Sequence, residues 1–148
     1  MLVWFEGKLV SIAFCNVMIS RSDLKKISKA RLRDAKILLG GKRFEGAIYL
    51  CGYAIELALK ARICQTLRWP EFPSTAGEFN NYKSFRSHDL EVLLHLSGIE
   101  SKIKTTFLGD WSTVAQWDPD SRYKAIGTAT RSDADQMISA AVALVKKI

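Results

Sequence analysis

From Arg21 onward, apolar residues recur at helical spacing. Ser20-x-x-Asp23 has the spacing of a capping box, in which a hydroxyl and a carboxylate satisfy free backbone N–H groups at a helix start. An apolar stripe of Leu24, Ile27, Leu32, Ala35, Leu38 and Leu39 follows, and Gly40-Gly41 stops the helix. The stripe covers about 140° of a helical wheel and contains Arg31. A charge there either finds a partner in the core or snorkels to the edge of the stripe.

The next pattern predicts a helix from about Arg43 to Leu67, ended by Trp69-Pro70. Phe44, Ala47, Ile48, Cys51, Ile55, Ala58 and Leu59 make one apolar face, and Leu50, Ala54, Leu57, Ala61 and Cys64 cover much of the rest. A helix apolar nearly all round is central, packed on two sides by its own domain or by a second subunit. Its exception is a ridge of Tyr49, Tyr53, Glu56 and Lys60 at i, i+4, i+7 and i+11. Glu56 and Lys60 are correctly ordered for an intrahelical pair, but such a pair contributes only about 0.3–0.5 kcal/mol when exposed. Stability alone therefore explains the ridge poorly, and it stands as a candidate site. A buried network joining helices, with Arg31 pairing to Glu56, is the structural alternative.

Residues 71–86 carry Pro, Gly, Ser, Thr and two Asn and read as a long loop. Ser87 is placed to cap a short helix from His88 to Ser97, closed by Gly98. Ile99 to Trp117 reads as one helix, weakened at Gly109 and broken by Asp118-Pro119-Asp120-Ser121. A Ser132-x-x-Asp135 capping box opens the last helix, which buries Ala134, Met137, Ile138, Ala141, Leu144 and Ile148. Lys146 and Lys147 complement its C-terminal dipole. The fold class that follows is all-α, an antiparallel four- to five-helix bundle over residues 21–148.

Residues 1–20 form a short extension outside this pattern. Val3-Trp4-Phe5 and Lys8-Leu9-Val10 around Glu6-Gly7 allow a β-hairpin. The other reading is an upstream start codon with Met18 as the functional first residue. Leu9 to Ile19 is too short to span a bilayer, and Glu6 ahead of Lys8 with no small-residue cleavage site argues against a signal peptide.

Composition adds two points. In 148 residues, 22 Lys and Arg against 15 Asp and Glu give a net charge of +7, which favours anionic partners such as nucleic acid, nucleotides or an acidic protein. Lys25, Lys26, Lys29, Arg33 and Lys36 concentrate part of that charge on one helix, a face compatible with RNA backbone but without interleaved aromatics for base stacking. Cys15, Cys51 and Cys64 are an odd number without a C-x-x-C pair, so a reducing, cytoplasmic setting is expected, with no disulfide, zinc site or cofactor.

Several segments together resemble the HEPN domain, a small antiparallel helical bundle found widely in prokaryotes. Ala30 to Leu39, turning at Gly40-Gly41 into Phe44, is similar to the family's first helix. Ala47-Ile48-Tyr49-Leu50 and Ala54-Ile55-Glu56-Leu57-Ala58-Leu59-Lys60-Ala61 look like its long second helix, with Glu and Lys four residues apart. Ser87-His88-Asp89-Leu90 with Leu93-Leu94 resembles the family's His-Asp-Leu helix start. Trp117 with Arg122-Tyr123 resembles the segment before its final helix, and the likeness covers roughly Asp23 to Ile148. It implies a homodimer whose helices form a cleft, often paired with a minimal nucleotidyltransferase in a toxin–antitoxin system. Many members are metal-independent ribonucleases marked by Arg, four to six residues, then His. There an imidazole does acid–base work at the 2′-hydroxyl while a guanidinium stabilises the phosphorane.

The chain departs from that motif. Five, six and seven residues before His88 stand Lys83, Tyr82 and Asn81, and the same positions before His95 hold Leu90, Asp89 and His88. The family's nuclease activity therefore does not carry over, and the expectation leans away from an enzyme. The leading expectation is a non-catalytic protein that binds nucleotide or RNA phosphate through Tyr49, Tyr53, Glu56, Lys60, His88 and Arg122, or docks an acidic nucleotidyltransferase. The alternatives are a ribonuclease built from His88 with Arg86 or Arg122, and a purely structural protein whose ridge is a core network.

Overall fold

The computed structural model describes residues 2–5, 8–11, 19–73 and 83–148. It is an all-α bundle of three long helices and three short ones: α1 (Arg21–Gly40), α2 (Phe44–Thr66), α3 (Leu90–Leu96), α4 (Glu100–Thr106), α5 (Leu108–Val114) and α6 (Arg131–Val145). Strands are minor. β1 (Leu2–Phe5) pairs antiparallel with β2 (Lys8–Ser11), and β3 (Ile19–Ser20) with β4 (Glu71–Phe72). The β1–β2 pair lies within the N-terminal extension, and Glu6-Gly7 and Met18 lie outside the described residues.

α1 starts as its sequence requires. Ser20 Oγ accepts the Asp23 backbone N–H at 3.1 Å, and Leu24, Leu32 and Ala35 are buried against α2. The turn into α2 differs in one detail from the expectation placed on its glycines. Gly41 has an ordinary φ of −80°, and the left-handed position falls on Lys42 at φ 57°.

α2 is the central element, with α1 on one side and α6 on another. Cys51, Ala54, Ile55, Leu59, Ala61, Ile63 and Cys64 are fully buried along it. Burial pushes the Cys51 thiol up to about 12, so it behaves as an apolar side chain.

Three helix boundaries correct the expectation. Asp89, not Ser87, caps α3: its carboxylate accepts from Glu91 N at 2.9 Å and Val92 N at 3.2 Å. A carboxylate bonds the free N–H groups and also complements the helix dipole, an advantage a serine lacks. The stretch expected as one helix from Ile99 to Trp117 breaks at Phe107, whose φ of −127° is not helical. The break leaves Trp111 buried, with Nε1 donating to Glu91 Oε1 at 2.7 Å. The last helix begins two residues early. Thr130 and Asp133 form the reciprocal capping box, with Thr130 N on Asp133 Oδ2 at 2.8 Å, in place of Ser132 and Asp135. The Asp118-Pro119 break is itself a short 3-10 turn, Pro119–Tyr123. Among the described residues no helix is long and apolar enough to cross a membrane.

Candidate functional site

The polar ridge on α2 divides into two environments. Its lower part, Tyr53, Glu56 and Lys60, faces a cavity of about 260 Å³, closed on the far side by β4 and the segment before α3. Glu56 lies at the centre with only 2% of its surface exposed. One oxygen, Oε1, accepts from Lys60 Nζ at 2.6 Å and lies 3.0 Å from His88 Nδ1. A buried carboxylate needs such partners, since its desolvation is otherwise too costly.

The position of the α3 cap creates this arrangement. Because the helix starts at Leu90, His88 stays in the non-helical segment ahead of it, where its ring reaches back to α2. Ser87 Oγ accepts the Asp89 backbone N–H at 3.0 Å, which folds that segment into a tight turn. With Nδ1 bonded to Glu56, Nε2 is the ring nitrogen left for another partner. His88 is 65% exposed while its acceptor is buried, so the imidazole bridges the core and solvent.

Lys60 is held from a second side, with Nζ 5.5 Å from the centre of the Phe72 ring. Tyr53 lines the same opening, and burial together with the nearby Glu56 charge raises its phenol pKa. Arg86 also lines the cavity, is exposed, and forms no ion pair among the described residues. Among the described residues the lining therefore holds one carboxylate, already engaged twice, against Lys60, Arg86 and an imidazole.

The upper part of the ridge goes elsewhere. Tyr49 packs on Trp117 with ring centres 6.0 Å apart. Arg122 stacks on Tyr123 at 4.8 Å, lies 3.8 Å from Asp120, and has its pKa raised further by hydrogen bonding to Tyr123 and Tyr49. Neither Tyr49 nor Arg122 lines the Glu56 cavity, so the six expected site residues form two groups. The expected Arg31–Glu56 pair does not form. Arg31 Nη1 bonds Asp34 at 2.9 Å at the edge of the stripe, half exposed. His95 belongs to a surface network, with Nδ1 2.8 Å from Glu100 Oε2.

Phe72 and Pro73 are cavity residues that the helical pattern had no means to indicate. Phe72 arrives on β4, a two-residue strand whose length is below any periodic signal, and Pro73 follows it directly.

A central apolar helix, a polar seam on it, and a His-Asp-Leu segment folding onto that seam define a class of helical-bundle protein with a cationic pocket at the second helix. The HEPN domain family matches residues 22–148, and the chain belongs to that family. No curated protein and no solved structure matched the chain.

Proposed function

We propose that this HEPN protein binds the phosphate of a nucleotide or RNA strand in the Glu56 cavity. The observation that carries the proposal is the convergence of Lys60, Arg86 and His88 on one opening, with the only lining carboxylate among the described residues already occupied. Arg86 is the principal anion contact, because much of the Lys60 charge is spent on Glu56. The imidazole Nε2 and the Tyr53 hydroxyl supply directional hydrogen bonds. A cavity of about 260 Å³ is smaller than pockets that enclose whole ligands, so the phosphate enters and the base projects outward.

A second reading has a specific observation behind it. A carboxylate on Nδ1 orients an imidazole and leaves Nε2 as a base, the arrangement that acid–base chemistry at a ribose 2′-hydroxyl requires. In that metal-independent ribonuclease, Arg86 is the guanidinium that steadies the phosphorane, and Arg122 is not.

The test is calorimetric titration of the protein with 5′-AMP and with a short single-stranded RNA. Saturable binding is expected, with affinity falling at least about tenfold, or about 1.4 kcal/mol, in Arg86→Ala and unchanged in Arg122→Ala. Absence of saturable binding for both ligands overturns the proposal. RNA cleavage in a chelator, abolished by His88→Ala, replaces the binding reading with the nuclease one.

The assembly belongs to the same proposal: a homodimer that docks an acidic nucleotidyltransferase, as in toxin–antitoxin pairs of the family. The net charge of +7 supports an acidic partner. Sedimentation of the purified protein, alone and with such a partner, tests both.

A further inference from the structure

A larger concavity lies on the opposite flank of α2. Ala58 is two residues from both Glu56 and Lys60, about 200° around the helix, and forms the floor of a groove of about 620 Å³ between α1 and α6. Leu32, Val142, Val145 and Ile148 make its apolar walls. Ser28, the polar residue beneath it, is buried and satisfied, its hydroxyl donating to the Ala54 carbonyl at 2.7 Å.

The rim is uniformly cationic. Lys25, Lys29, Arg33 and Lys36 stand on α1 at i, i+4, i+8 and i+11, and Lys146 and Lys147, which follow α6, also line the groove, with Lys147 Nζ 5.8 Å from the centre of the Phe107 ring. All six are exposed, and none makes an ion pair among the described residues. Lys26, the remaining basic residue of this turn of α1, is outside the groove and pairs with Asp23 at 3.3 Å. Among the described residues no Asp or Glu lines the groove.

We propose that this groove receives an acidic amphipathic helix of a partner protein. Two features select that occupant. A row of cations over eleven residues of α1 extends about 16 Å, the length of roughly three helical turns, so it matches a ladder of carboxylates at i, i+4 spacing on a second helix. The floor is apolar and offers side-chain holes rather than hydrogen bonds, which suits leucine-type anchors at i, i+3, i+4 and i+7. A nucleic-acid backbone would use the rim and leave the floor empty, and among the described residues no aromatic lines the groove to stack a base. α1, α2 and α6 thus supply three walls, and the bound helix takes the fourth place of a four-helix arrangement.

The probe is a capped peptide of about 14 residues with leucine at the anchor positions and glutamate on both flanks. Its binding is read by fluorescence anisotropy, and its location by amide NMR shifts. Saturable binding is expected, with shifts centred on Leu32, Ala58 and Val142. Affinity should fall at least about tenfold for a leucine-to-serine peptide, for a glutamate-to-lysine peptide, and for the Lys25→Glu/Lys29→Glu/Arg33→Glu protein, whose changes are all at exposed positions. Arg86→Ala should leave peptide binding intact, which separates this groove from the Glu56 cavity. The proposal is overturned by no saturable binding, by a serine peptide that binds equally well, or by shifts elsewhere. It is also overturned if a short RNA, rather than the peptide, shifts these amides, or if the triple variant converts a dimer to a monomer, making a second copy the occupant.

Discussion

Replacing Gly52 by alanine sets two effects of opposite sign against each other. Gly52 lies in the middle of α2, where alanine is favoured over glycine by about 1 kcal/mol on helix propensity alone. A Cβ at this position, however, would sit 2.1 Å from Cγ of Trp117. Ordinary carbon–carbon contact is about 3.5–4.0 Å, so the ring must move by more than about 1 Å or swing out. Trp117 is only 9% exposed and packs against Tyr49. Its indole N–H has no hydrogen-bond partner among the described residues, so the loss is one of packing. Overpacking of this kind costs about 1–3 kcal/mol, and full loss of a buried tryptophan about 3–5. We expect a net destabilisation of about 2 kcal/mol, a fall in Tm of roughly 4–8 °C for a domain of this size. Thermal unfolding followed by circular dichroism measures it. In a Trp117→Ala background the same substitution should be neutral or stabilising by up to about 1 kcal/mol. A Gly52→Ala protein with an unchanged or higher Tm in the wild-type background would refute the close packing of α2 on Trp117.

Three further outcomes are expected. Lys60→Met removes the closer partner of the 2%-exposed Glu56 and should destabilise by about 2–4 kcal/mol in urea unfolding, whereas Glu56→Gln/Lys60→Met should recover much of that loss. Cys51, with its thiol pushed up to about 12, should resist iodoacetamide at neutral to mildly alkaline pH in the native protein and react once unfolded, as mass mapping will report. Backbone N–H groups of its own helix start and of Ala129 and Gly127 hold the Glu45 carboxyl below its ordinary value of 4.5. A depressed carboxyl contributes stability that is present above the unfolded value and lost as pH falls through the folded one. Acid unfolding of Glu45→Gln should therefore show a shallower dependence below about pH 4.5 than wild type; an identical profile would contradict the Glu45 bonds.

Much of the frame is legible in the sequence. The Ser20 cap, the α1 stripe and the apolar surround of α2 are local patterns, and burial follows from them directly. The Tyr53–Glu56–Lys60 seam was legible for the same reason, as polar groups on a helix with no solvent face to spare. The partners of that seam were not. Whether His88 is helical depends on competition between Ser87 and Asp89 for one cap, and two residues of difference decide whether its ring reaches Glu56. The sequence offers Arg86 only as one of two guanidinium partners of His88 in the ribonuclease alternative, because distance along the chain says little where a segment folds back across a helix. Phe72 reaches Lys60 through a strand pair too short for periodicity. The sequence pattern groups Tyr49 and Arg122 with the same site, yet a turn of helix and the Trp117 ring direct them to another surface.

The most direct test of the Glu56 cavity is an NMR titration of the protein with 5′-AMP, observing imidazole nitrogens and arginine side-chain N–H groups together. His88 should carry its proton on Nδ1 in the free protein, and binding should shift Nε2 of His88 and Arg86 while Arg122 stays unmoved. Shifts confined to Arg122 and Tyr123, or a His88 tautomer indifferent to Glu56→Gln, would contradict it.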